Sequence, residues 1–448
     1  MCPEGKVMVN GQDAFRTPGM QDRIALVTAQ WGSAVSSLHS AKAGELIKGA
    51  CGGEISARGR LLIRVLGVDE QWVIGTLSEG QLRRVQLAVK LSQARDLLLL
   101  DEATTDLDLV VRRNLLTLLY EESVRRGTTV VYCTHIFDGL EGWASHVAQM
   151  SGGTIVRFCP SAEVDAMAAA AGGQEETGSM FAAVQTWLVA GLPEERRAVV
   201  TSDPAHVCAA GAGDGPDSVP NWPASQHGQP IVSVRGLTWG YSTVGRRALK
   251  DASAEFESGA RVLVTGLNGA GKSTMMSIIA GQHHIPLGVV KVMGKEAFHD
   301  LTLQRDTVLL SQEWRKTLKC VGVGGNITFA ELSDSIIADL AAQGGWPEPL
   351  LRARLQYLVT CFEVDAAWTP KTVSDGQLRR MQLALKLCPP RMLIMLDEAS
   401  VDLDIVARQS LLRFLHAETT QRGATVVYCT HILDGIGGWA SHHCHVAG

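Results

Sequence analysis

The 448-residue sequence lacks the features that mark membrane and secreted proteins. No apolar stretch approaches the roughly 20 residues that a membrane-spanning helix requires, since the segment Met180–Leu192 is too short and includes Gln185. The N-terminal sequence MCPEGKVMVNGQDAF contains no apolar core of a secretion signal. Apolar residues make up 46% of the chain and charged residues 19%, which argues against wholesale disorder. We therefore predict a soluble, cytosolic protein, with the nucleus as an alternative location.

An excess of positive charge and a cysteine framework are also missing. The net charge is −5, and phosphate neutralisation needs clustered Lys and Arg. Charge therefore does not support nucleic acid as a partner, although a small basic patch could hide in that average. The ten cysteines show no paired metal-ligand spacing, and Cys133 and Cys429 fall within apolar strand-like runs. Buried free thiols in a reducing compartment are the simplest interpretation.

An internal repeat organises the chain. The run LSEGQLRRVQLAVKL, which starts at Leu77, recurs as VSDGQLRRMQLALKL from Val373. Ser374, Asp397 and His431 each follow their first-copy equivalents by 296 positions, and no insertion interrupts the repeat. Such a repeat indicates two copies of one domain.

The two copies differ at their ends. Upstream of the repeat the offset falls to 283, so that Met1 corresponds to His284 and the second copy is 13 residues longer in a helical region. Everything that precedes His284 in the second copy, including a phosphate-binding loop, has no counterpart in the first. The sequence of the first copy also predicts a strand at Gly152–Phe158. The second copy stops at Gly448, which aligns with Gly152, so it does not include the equivalent strand. One hypothesis is that this sequence is a fragment or an incomplete gene model.

These patterns predict an α/β fold with two domains, each a mixed sheet with helices and a helical subdomain. The first domain is expected at 1–200; it lacks its phosphate-loop portion and ends in a helix interrupted at Pro193. Residues 201–230 are rich in Pro, Gly, Ala and Ser, which predicts a flexible linker. The second domain is expected at 231–448, and it begins with the alternating strand pattern IVSVRGLTWGY.

A glycine-rich loop follows an apolar strand in the second copy. Residues Arg261–Thr265 lead into GLNGAGKST at Gly266–Thr274 and then into a helix. In this strand–loop–helix context the pattern G-x-x-x-x-G-K-S predicts a phosphate-binding loop, because glycines let successive N–H groups curl around phosphate oxygens. Lys272 is expected to reach the β- and γ-phosphates of ATP, and the Ser273 hydroxyl to ligate Mg²⁺.

Two adjacent acids end a buried parallel-strand run, RMLIML, in the same copy. Asp397 is expected to hold Mg²⁺, directly or through water, and Glu398 to be the general base for the attacking water. Taken alone, such a pair could be only a strand end that meets solvent. The phosphate loop upstream favours the catalytic interpretation.

Three more side chains at strand ends are candidates. His431 follows the apolar run TVVYCT and could contact the γ-phosphate, although a lone histidine is more often structural. Gln312 ends another strand and could sense Mg²⁺ or the water, with Glu313 as a competing neighbour. Tyr241 lies 25 residues before Gly266 and could stack on adenine, or it could simply pack.

Together these motifs resemble the ABC ATPase superfamily, whose signature, usually LSGGQ, is represented by LSEGQ and VSDGQ. The resemblance implies that two cassettes stack head to tail, with ATP between the phosphate loop of one and the signature of the other. The second copy's phosphate loop would then face the first copy's signature, giving one competent site. Asp101, Glu102 and His135 of the first copy would have no nucleotide to act on.

Under this interpretation Glu398, His431 and Lys272 are the predicted catalytic residues, and ATP and Mg²⁺ are the expected cofactors. The predicted metal ligands are Ser273, Gln312 and Asp397. The predicted nucleotide-binding residues are Tyr241, Gly266, Leu267, Asn268, Gly269, Ala270, Gly271, Lys272, Ser273, Thr274 and Gln312, together with Ser78, Gly80 and Gln81 of the first signature.

Within the superfamily, the runs THIFDGLEGWASH and THILDGIGGWASH look like the Caf-type ABC proteins, which lack membrane domains and whose yeast member is associated with the Ccr–Not regulator. Two departures matter. Caf-type proteins are usually single cassettes, and the signatures here carry Glu79 and Asp375 where glycine is common, which could lower nucleotide affinity.

The resemblance leaves three functions open: an ATPase that acts on protein partners in transcription or mRNA regulation, the energy subunit of a transporter with separate membrane chains, and an ATP sensor with little turnover. Tandem translation-factor cassettes have a charged helical linker that 201–230 does not resemble. Iron–sulfur tandem ATPases have clustered cysteines, which are missing here.

Overall fold

A computed structural model describes residues 7–28, 38–170, 179–205, 208, 230–240, 247–311, 327–342, 346–401, 403–436 and 438–446. The chain forms two compact units, Met1–Ser161 and Ala162–Gly448, called unit 1 and unit 2. The sequence had placed the end of the first domain at residue 200, which falls inside unit 2. The difference arises because the helices that follow residue 178 pack on the second copy of the repeat.

Unit 1 is a small parallel sheet with helices packed against it. Its described strands and helices are β1 (Met8–Val9), β2 (Gln12–Asp13), β3 (Ile24–Val27), α1 (Ala43–Ala50), α2 (Ala57–Leu66), α3 (Glu79–Leu91), β4 (Leu97–Asp101), α4 (Leu109–Arg126), β5 (Thr129–Cys133), β6 (His146–Ser151) and β7 (Thr154–Pro160). Strands β3, β4 and β5 are parallel and adjacent in that order, while β1–β2 and β6–β7 form separate antiparallel pairs. The core lies between the parallel sheet and the helices.

Unit 2 contains two sheets. Its described elements are α5 (Ser161–Ala170), which starts at the boundary, α6 (Ser179–Ala190), α7 (Glu194–Thr201), β8 (Pro230–Gly240), β9 (Arg247–Glu257), β10 (Arg261–Thr265), α8 (Lys272–Ile279), β11 (Val290–Val292), β12 (Lys295–Glu296), α9 (Leu303–Asp306), β13 (Thr307–Leu310), α10 (Phe329–Ala342), α11 (Glu348–Phe362), α12 (Asp375–Leu387), β14 (Leu393–Asp397), α13 (Ile405–Arg422), β15 (Thr425–Cys429) and β16 (His442–His445). The parallel sheet has the order β13-β14-β15-β10-β16, and the antiparallel sheet has the order β12-β11-β8-β9. The predicted α/β fold is confirmed.

The same strand sequence, TVVYC, has different surroundings in the two units. In unit 2 every residue of β15 is buried, because β10 pairs with it and α8 joins its core cluster. In unit 1 the residues of β5 are alternately exposed, and Val131 is 46% exposed. The described part of unit 1 has no counterpart of β10 and α8. The prediction that Cys133 is a buried thiol is therefore wrong, although all the described cysteines are free.

The strand after the WASH run is also paired differently. In unit 2, β16 lies beside β10 in the parallel sheet. In unit 1, the equivalent strand β6 instead forms an antiparallel pair with β7, the last strand that the sequence predicted. Among the described residues of unit 1 no strand equivalent to β10 lies between β5 and β6, so β6 pairs with β7 instead.

Helices α6 and α7 follow the first copy of the repeat in the sequence but pack on the second copy in the structure. The predicted break at Pro193 is confirmed, since Pro193 is the N-cap of α7. Arg196 of α7 forms an ion pair with Glu363, and the carbonyl oxygen of Val200 accepts a hydrogen bond from Arg413 of α13 at 2.5 Å. Most of the predicted linker 201–230 lies outside the described residues.

A buried ion pair joins α11 to α13. Arg354 donates to Glu418 at 2.7 Å, and the two side chains are 1% and 0% exposed. Arg422 lies 2.5 Å from the other oxygen of Glu418. Burial alone would raise the pKa of Glu418, but the two guanidinium groups hold that pKa at about 2.

We predict that Glu418→Gln lowers the free energy of unfolding by about 3 to 5 kcal/mol at pH 7, because it leaves two buried cations without their counterion. The stabilisation by Glu418 is complete above the ordinary glutamate pKa of 4.5 and is lost as the pH falls towards 2. Urea unfolding at pH 7 and at pH 3.5 measures both effects, and the variant should show the weaker acid destabilisation. The exposed pair Glu121–Arg125 provides the control, since Glu121→Gln should change stability by no more than about 0.5 kcal/mol. Equal losses in the two variants would contradict this account.

Candidate nucleotide site

Three adjacent parallel strands of unit 2 end at one edge of the sheet. Val264 of β10 and Asp397 of β14 are both paired with Cys429 of β15. The loop after β10, the acids at the end of β14 and His431 after β15 therefore lie together at the carboxyl edge, where open α/β sheets bind ligands.

The glycine-rich loop adopts a conformation that side chains would obstruct. A Cβ atom at Gly266 would lie 2.4 Å from the carbonyl oxygen of Val446, and Gly271 has a φ of +101°. Lys272 begins α8 and is 8% exposed. Its Nζ donates to the carbonyl oxygens of Gly266 and Leu267 at 2.9 and 3.1 Å, so the ammonium is held inside the loop. The arrangement presents one cation and a helix N-terminus to an anion.

Asp397 has an incompletely satisfied carboxylate. Burial raises the pKa of Asp397, while a hydrogen bond from Ser273 opposes that rise. Its Oδ1 atom is buried and has no hydrogen-bond partner. A buried carboxylate oxygen beside a hydroxyl is a fitting pair of ligands for Mg²⁺. The described residues contain no cluster of three or more His, Cys, Asp or Glu that could hold a metal. A Mg²⁺ ion would therefore need ligands in addition to Asp397 and Ser273.

Glu398 and His431 form a close pair. The Nδ1 atom of His431 lies 2.8 Å from the Oε2 atom of Glu398, and the side chains are 13% and 18% exposed. Glu398 has a φ of +50°, which is unusual for a residue with a side chain, and its N–H donates to the carbonyl oxygen of Cys429 at 2.9 Å. Left-handed backbone of this kind is strained and is concentrated at functional sites. Here it turns the Glu398 side chain towards His431.

The comparisons with known proteins agree with this geometry. The sequence profile of the family described as "ABC transporter" matches residues 249–401, which contain the loop and both acids. ABC transporter I family member 21 of Arabidopsis thaliana is 37% identical over 220 residues, covering 48% of this chain and 75% of that protein. The chain belongs to the ABC family.

Two other relatives match a similar share of this ABC protein. ABC transporter I family member 20 of Arabidopsis thaliana is 36% identical over 225 residues, which is 48% of this chain and 66% of that protein. CCR4-associated factor 16 of Saccharomyces cerevisiae is 34% identical over 232 residues, which is 49% of this chain and 76% of that protein.

The fold likeness extends further along the chain. The solved structure of an RNase-L inhibitor aligns with a TM-score of 0.59 at 17% identity, covering 92% of this chain and 70% of that one. A ribosome-bound archaeal Pelota and ABCE1 assembly aligns with a TM-score of 0.61 at 16% identity, covering 94% of this chain and 62% of that one. Coverage this broad includes both units, and at such identity it shows the fold alone.

Unit 1 of this ABC protein keeps part of the site. The Nδ1 atom of His135 lies 2.8 Å from the Oε1 atom of Glu102, and Glu102 has a φ of +49°. Its N–H donates to the carbonyl oxygen of Cys133 at 3.0 Å, as in unit 2. The histidine–glutamate pair therefore forms although the described residues of unit 1 include no phosphate loop. Its geometry depends on the β4–β5 strand pair instead.

The two signature helices begin alike. Ser78 and Ser374 cap α3 and α12, and each hydroxyl accepts the N–H of the glutamine three residues later at 3.3 Å. Each glutamine side chain in turn accepts the serine N–H, at 3.0 and 2.9 Å. The Gly80 N–H lies in the first turn of α3, where helical N–H groups have no intrahelical acceptor and can bind an anion. That Ser78, Gly80 and Gln81 face the phosphate loop stays a prediction.

The sequence interpretation missed a link between the signature helix and the predicted Gln312 segment. Arg379 donates to the carbonyl oxygen of Ser311 at 2.9 Å, and Gln382 donates to the same atom at 3.3 Å. In unit 1, Arg83 makes the equivalent bond to Thr28 at 2.6 Å. The signal was available, because the repeated run QLRR-x-QLA carries these arginines and glutamines in both copies.

Several predicted residues can be placed and two cannot. Leu267, Asn268 and Gly269 are exposed at the tip of the loop, whereas Ala270 and Thr274 are buried beneath it. Tyr241 and Gln312 lie outside the described residues. No helix in the described ranges is long and apolar enough to cross a membrane.

Proposed function

We propose that this protein is an ATPase with one competent site, in unit 2, whose cycle of ATP binding and hydrolysis changes the conformation of a protein partner. The observation that supports the proposal is the convergence of Lys272, Asp397 and the Glu398–His431 pair at one edge of the sheet. Each group there matches a separate requirement of phosphoryl transfer: anion binding, metal binding and activation of water.

In this proposal the loop binds the polyphosphate of ATP. Its N–H groups and those at the start of α8 donate hydrogen bonds to phosphate oxygens, and the ammonium of Lys272 exchanges its bonds to the loop carbonyls for bonds to the β- and γ-phosphates. Asp397 and Ser273 would hold Mg²⁺, which neutralises phosphate charge when bound. Tyr241 would stack on the adenine, and Gln312 would complete the metal or water site.

Glu398 would accept the proton of the attacking water. Its side chain is only 18% exposed and its Oε2 atom contacts His431, so its orientation is set before nucleotide arrives. His431 would position Glu398 and contact the γ-phosphate. These roles predict that Glu398 contributes more than His431 to the rate of ATP hydrolysis.

The signature of unit 1 would close over the same nucleotide. Gly80→Asp places a carboxylate beside the N–H groups that would bind the γ-phosphate, and we expect it to lower the ATPase rate by about tenfold or more. The matched control is Gly376→Asp in the signature of unit 2, which has no phosphate loop to face in this chain and should leave the rate within about twofold. Steady-state phosphate release measures both. If Gly376→Asp has the larger effect, the composite site is wrong.

An ATP sensor with little turnover is the second candidate. It is favoured by unit 1, which keeps Glu102 and His135 while the chain has only one phosphate loop. A sensor would bind ATP and release phosphate no faster than a Glu398→Gln variant. The rate of the wild type therefore separates the two candidates.

We further propose a cytoplasmic or nuclear role in transcription or mRNA regulation through a Ccr–Not-like complex. The support is the 34% identity to CCR4-associated factor 16 over about half the chain. Co-purification of the tagged protein with Ccr4 tests this role. The relatives also include proteins named ABC transporters, so recovery of a membrane protein instead would favour a transporter energy subunit.

A further inference from the structure

The two units carry the same groove beside the helix that follows the acids. The groove in unit 1 is called the α4 groove. There Arg112 lies 3.7 Å from Asp138, and the indole nitrogen of Trp143 donates to the carbonyl oxygen of Leu116 at 2.8 Å. The α4 groove has a volume of about 340 Å³ and is lined by α4 and residues 138–143. The groove in unit 2 is called the α13 groove. There Arg408 lies 3.8 Å from Asp434, and Trp439 donates to the carbonyl oxygen of Leu412 at 2.9 Å. The same two contacts therefore hold the frame of both grooves.

The α13 groove is partly covered by the chain itself, and a cavity of about 550 Å³ remains where Gly435 and Trp439 face residues 201–204. The ring of Phe181 on α6 comes within 3.1 Å of the place that a Cβ atom of Gly435 would occupy. Gln185 and Val189 of α6 lie beside Val406, which is 5% exposed. An aromatic side chain packed over a glycine is therefore the form of ligand that this frame accepts.

The α4 groove is open. Val110, the equivalent of Val406, is 54% exposed, and Leu109 is 45% exposed. A Cβ atom at Gly139 would meet only one atom within 4 Å, the Cδ1 of Leu116 at 3.9 Å. The space that Phe181 takes in unit 2 has no occupant among the described residues of unit 1.

The two grooves differ where α7 is bound. Glu363, which pairs with Arg196, corresponds to Gly67, and Arg413, which donates to Val200, corresponds to Thr117. These two contacts favour unit 2 as the seat of α6 and α7. The α4 groove keeps the aromatic pocket but not the contacts to α7, and it carries the exposed Arg113 where unit 2 has Gln409.

We propose that the α4 groove is a docking site for an amphipathic helix of a partner protein. The helix places an aromatic side chain over Gly139, apolar residues on Leu109 and Val110, and an acidic residue beside Arg113. Such a helix-in-groove contact reads anchors spaced three or four residues apart. The site does not depend on ATP hydrolysis, so it is separate from the function proposed above.

A labelled peptide of residues Ser179–Leu192, which contains α6 and supplies the aromatic and apolar anchors but no acidic residue, is the probe. Added to the full-length protein, it should bind saturably at one site, measured by fluorescence anisotropy. Val110→Glu should weaken binding by about tenfold or more, because it places a charge on the exposed apolar surface beside the groove, where the helix would pack. Val124→Glu is the control on the same helix outside the groove, at a residue that is 66% exposed, and it should have no effect.

A gain-of-binding variant provides an independent test. Gly67→Glu with Thr117→Arg introduces the two unit 2 contacts, and Glu363 shows that glutamate is accommodated at this left-handed position. The longer peptide Ser179–Thr201 should then bind about tenfold more tightly, whereas the shorter peptide should not change. The proposal is overturned if no saturable binding occurs. It is also overturned if Val406→Glu rather than Val110→Glu abolishes binding, because the peptide would then bind only to unit 2, in place of α6.

Discussion

Glu398→Gln is expected to lower the rate of ATP hydrolysis by about 10²- to 10³-fold while ATP affinity stays within about twofold of the wild type. The amide keeps the size and the hydrogen bond to His431, but it cannot accept the proton of the attacking water. Single-turnover phosphate release at saturating ATP measures the chemical step, and equilibrium nucleotide binding measures affinity.

The chain offers a matched control for this variant. Glu102 has the same backbone conformation and the same 2.8 Å contact to a histidine, yet its unit contains no G-x-x-x-x-G-K-S sequence. Glu102→Gln should therefore leave the rate within about twofold. Equal background rates in the wild type and Glu398→Gln would exclude the enzyme and favour the sensor. A large effect of Glu102→Gln would show that the catalytic glutamate lies in unit 1, which contradicts the assignment to unit 2.

Lys272→Met is expected to weaken ATP binding by about 30- to 150-fold. The methionine preserves the buried stem, so the loss comes from the bonds between the ammonium and the phosphates, about 2 to 3 kcal/mol. Isothermal titration with Mg-ATP gives the affinity directly.

Two comparisons make the Lys272 result specific. Lys291 is an exposed lysine whose ion pair lies on the antiparallel sheet, and Lys291→Met should not change ATP affinity. Adenosine, which carries no phosphate, should bind wild type and Lys272→Met equally. A variant that binds Mg-ATP as tightly as the wild type would show that the loop is not the phosphate site.

The local elements of the site could be read from the sequence with little error. The strand RVLVT, the following glycines and the helix at Lys272 appear where the motif predicts them, because glycine at 266 and 271 permits a backbone that other residues could not adopt. The acids at the end of β14 follow the same logic, since an uninterrupted apolar run predicts a strand buried on both faces.

The sequence was a poor guide to where identical segments end up. TVVYC is buried in one unit and half exposed in the other, and the strand after WASH joins a sheet in one unit and forms a separate pair in the other. These differences depend on β10 and α8, which are distant in sequence. The residue pattern within a strand does not show which distant strands and helices pack against it.

The sequence alone determined the ABC-type phosphate loop, the acids after the apolar run and the repeated signature, because those features consist of residue types at fixed spacing along a single strand, loop or helix. Only the tertiary structure decided that α6 and α7 pack on unit 2, that Glu398 reaches His431, and that the α4 groove is open. Each of these depends on which surfaces meet in space, and an apolar helix such as α6 has the same sequence pattern whichever of two matching grooves it fills.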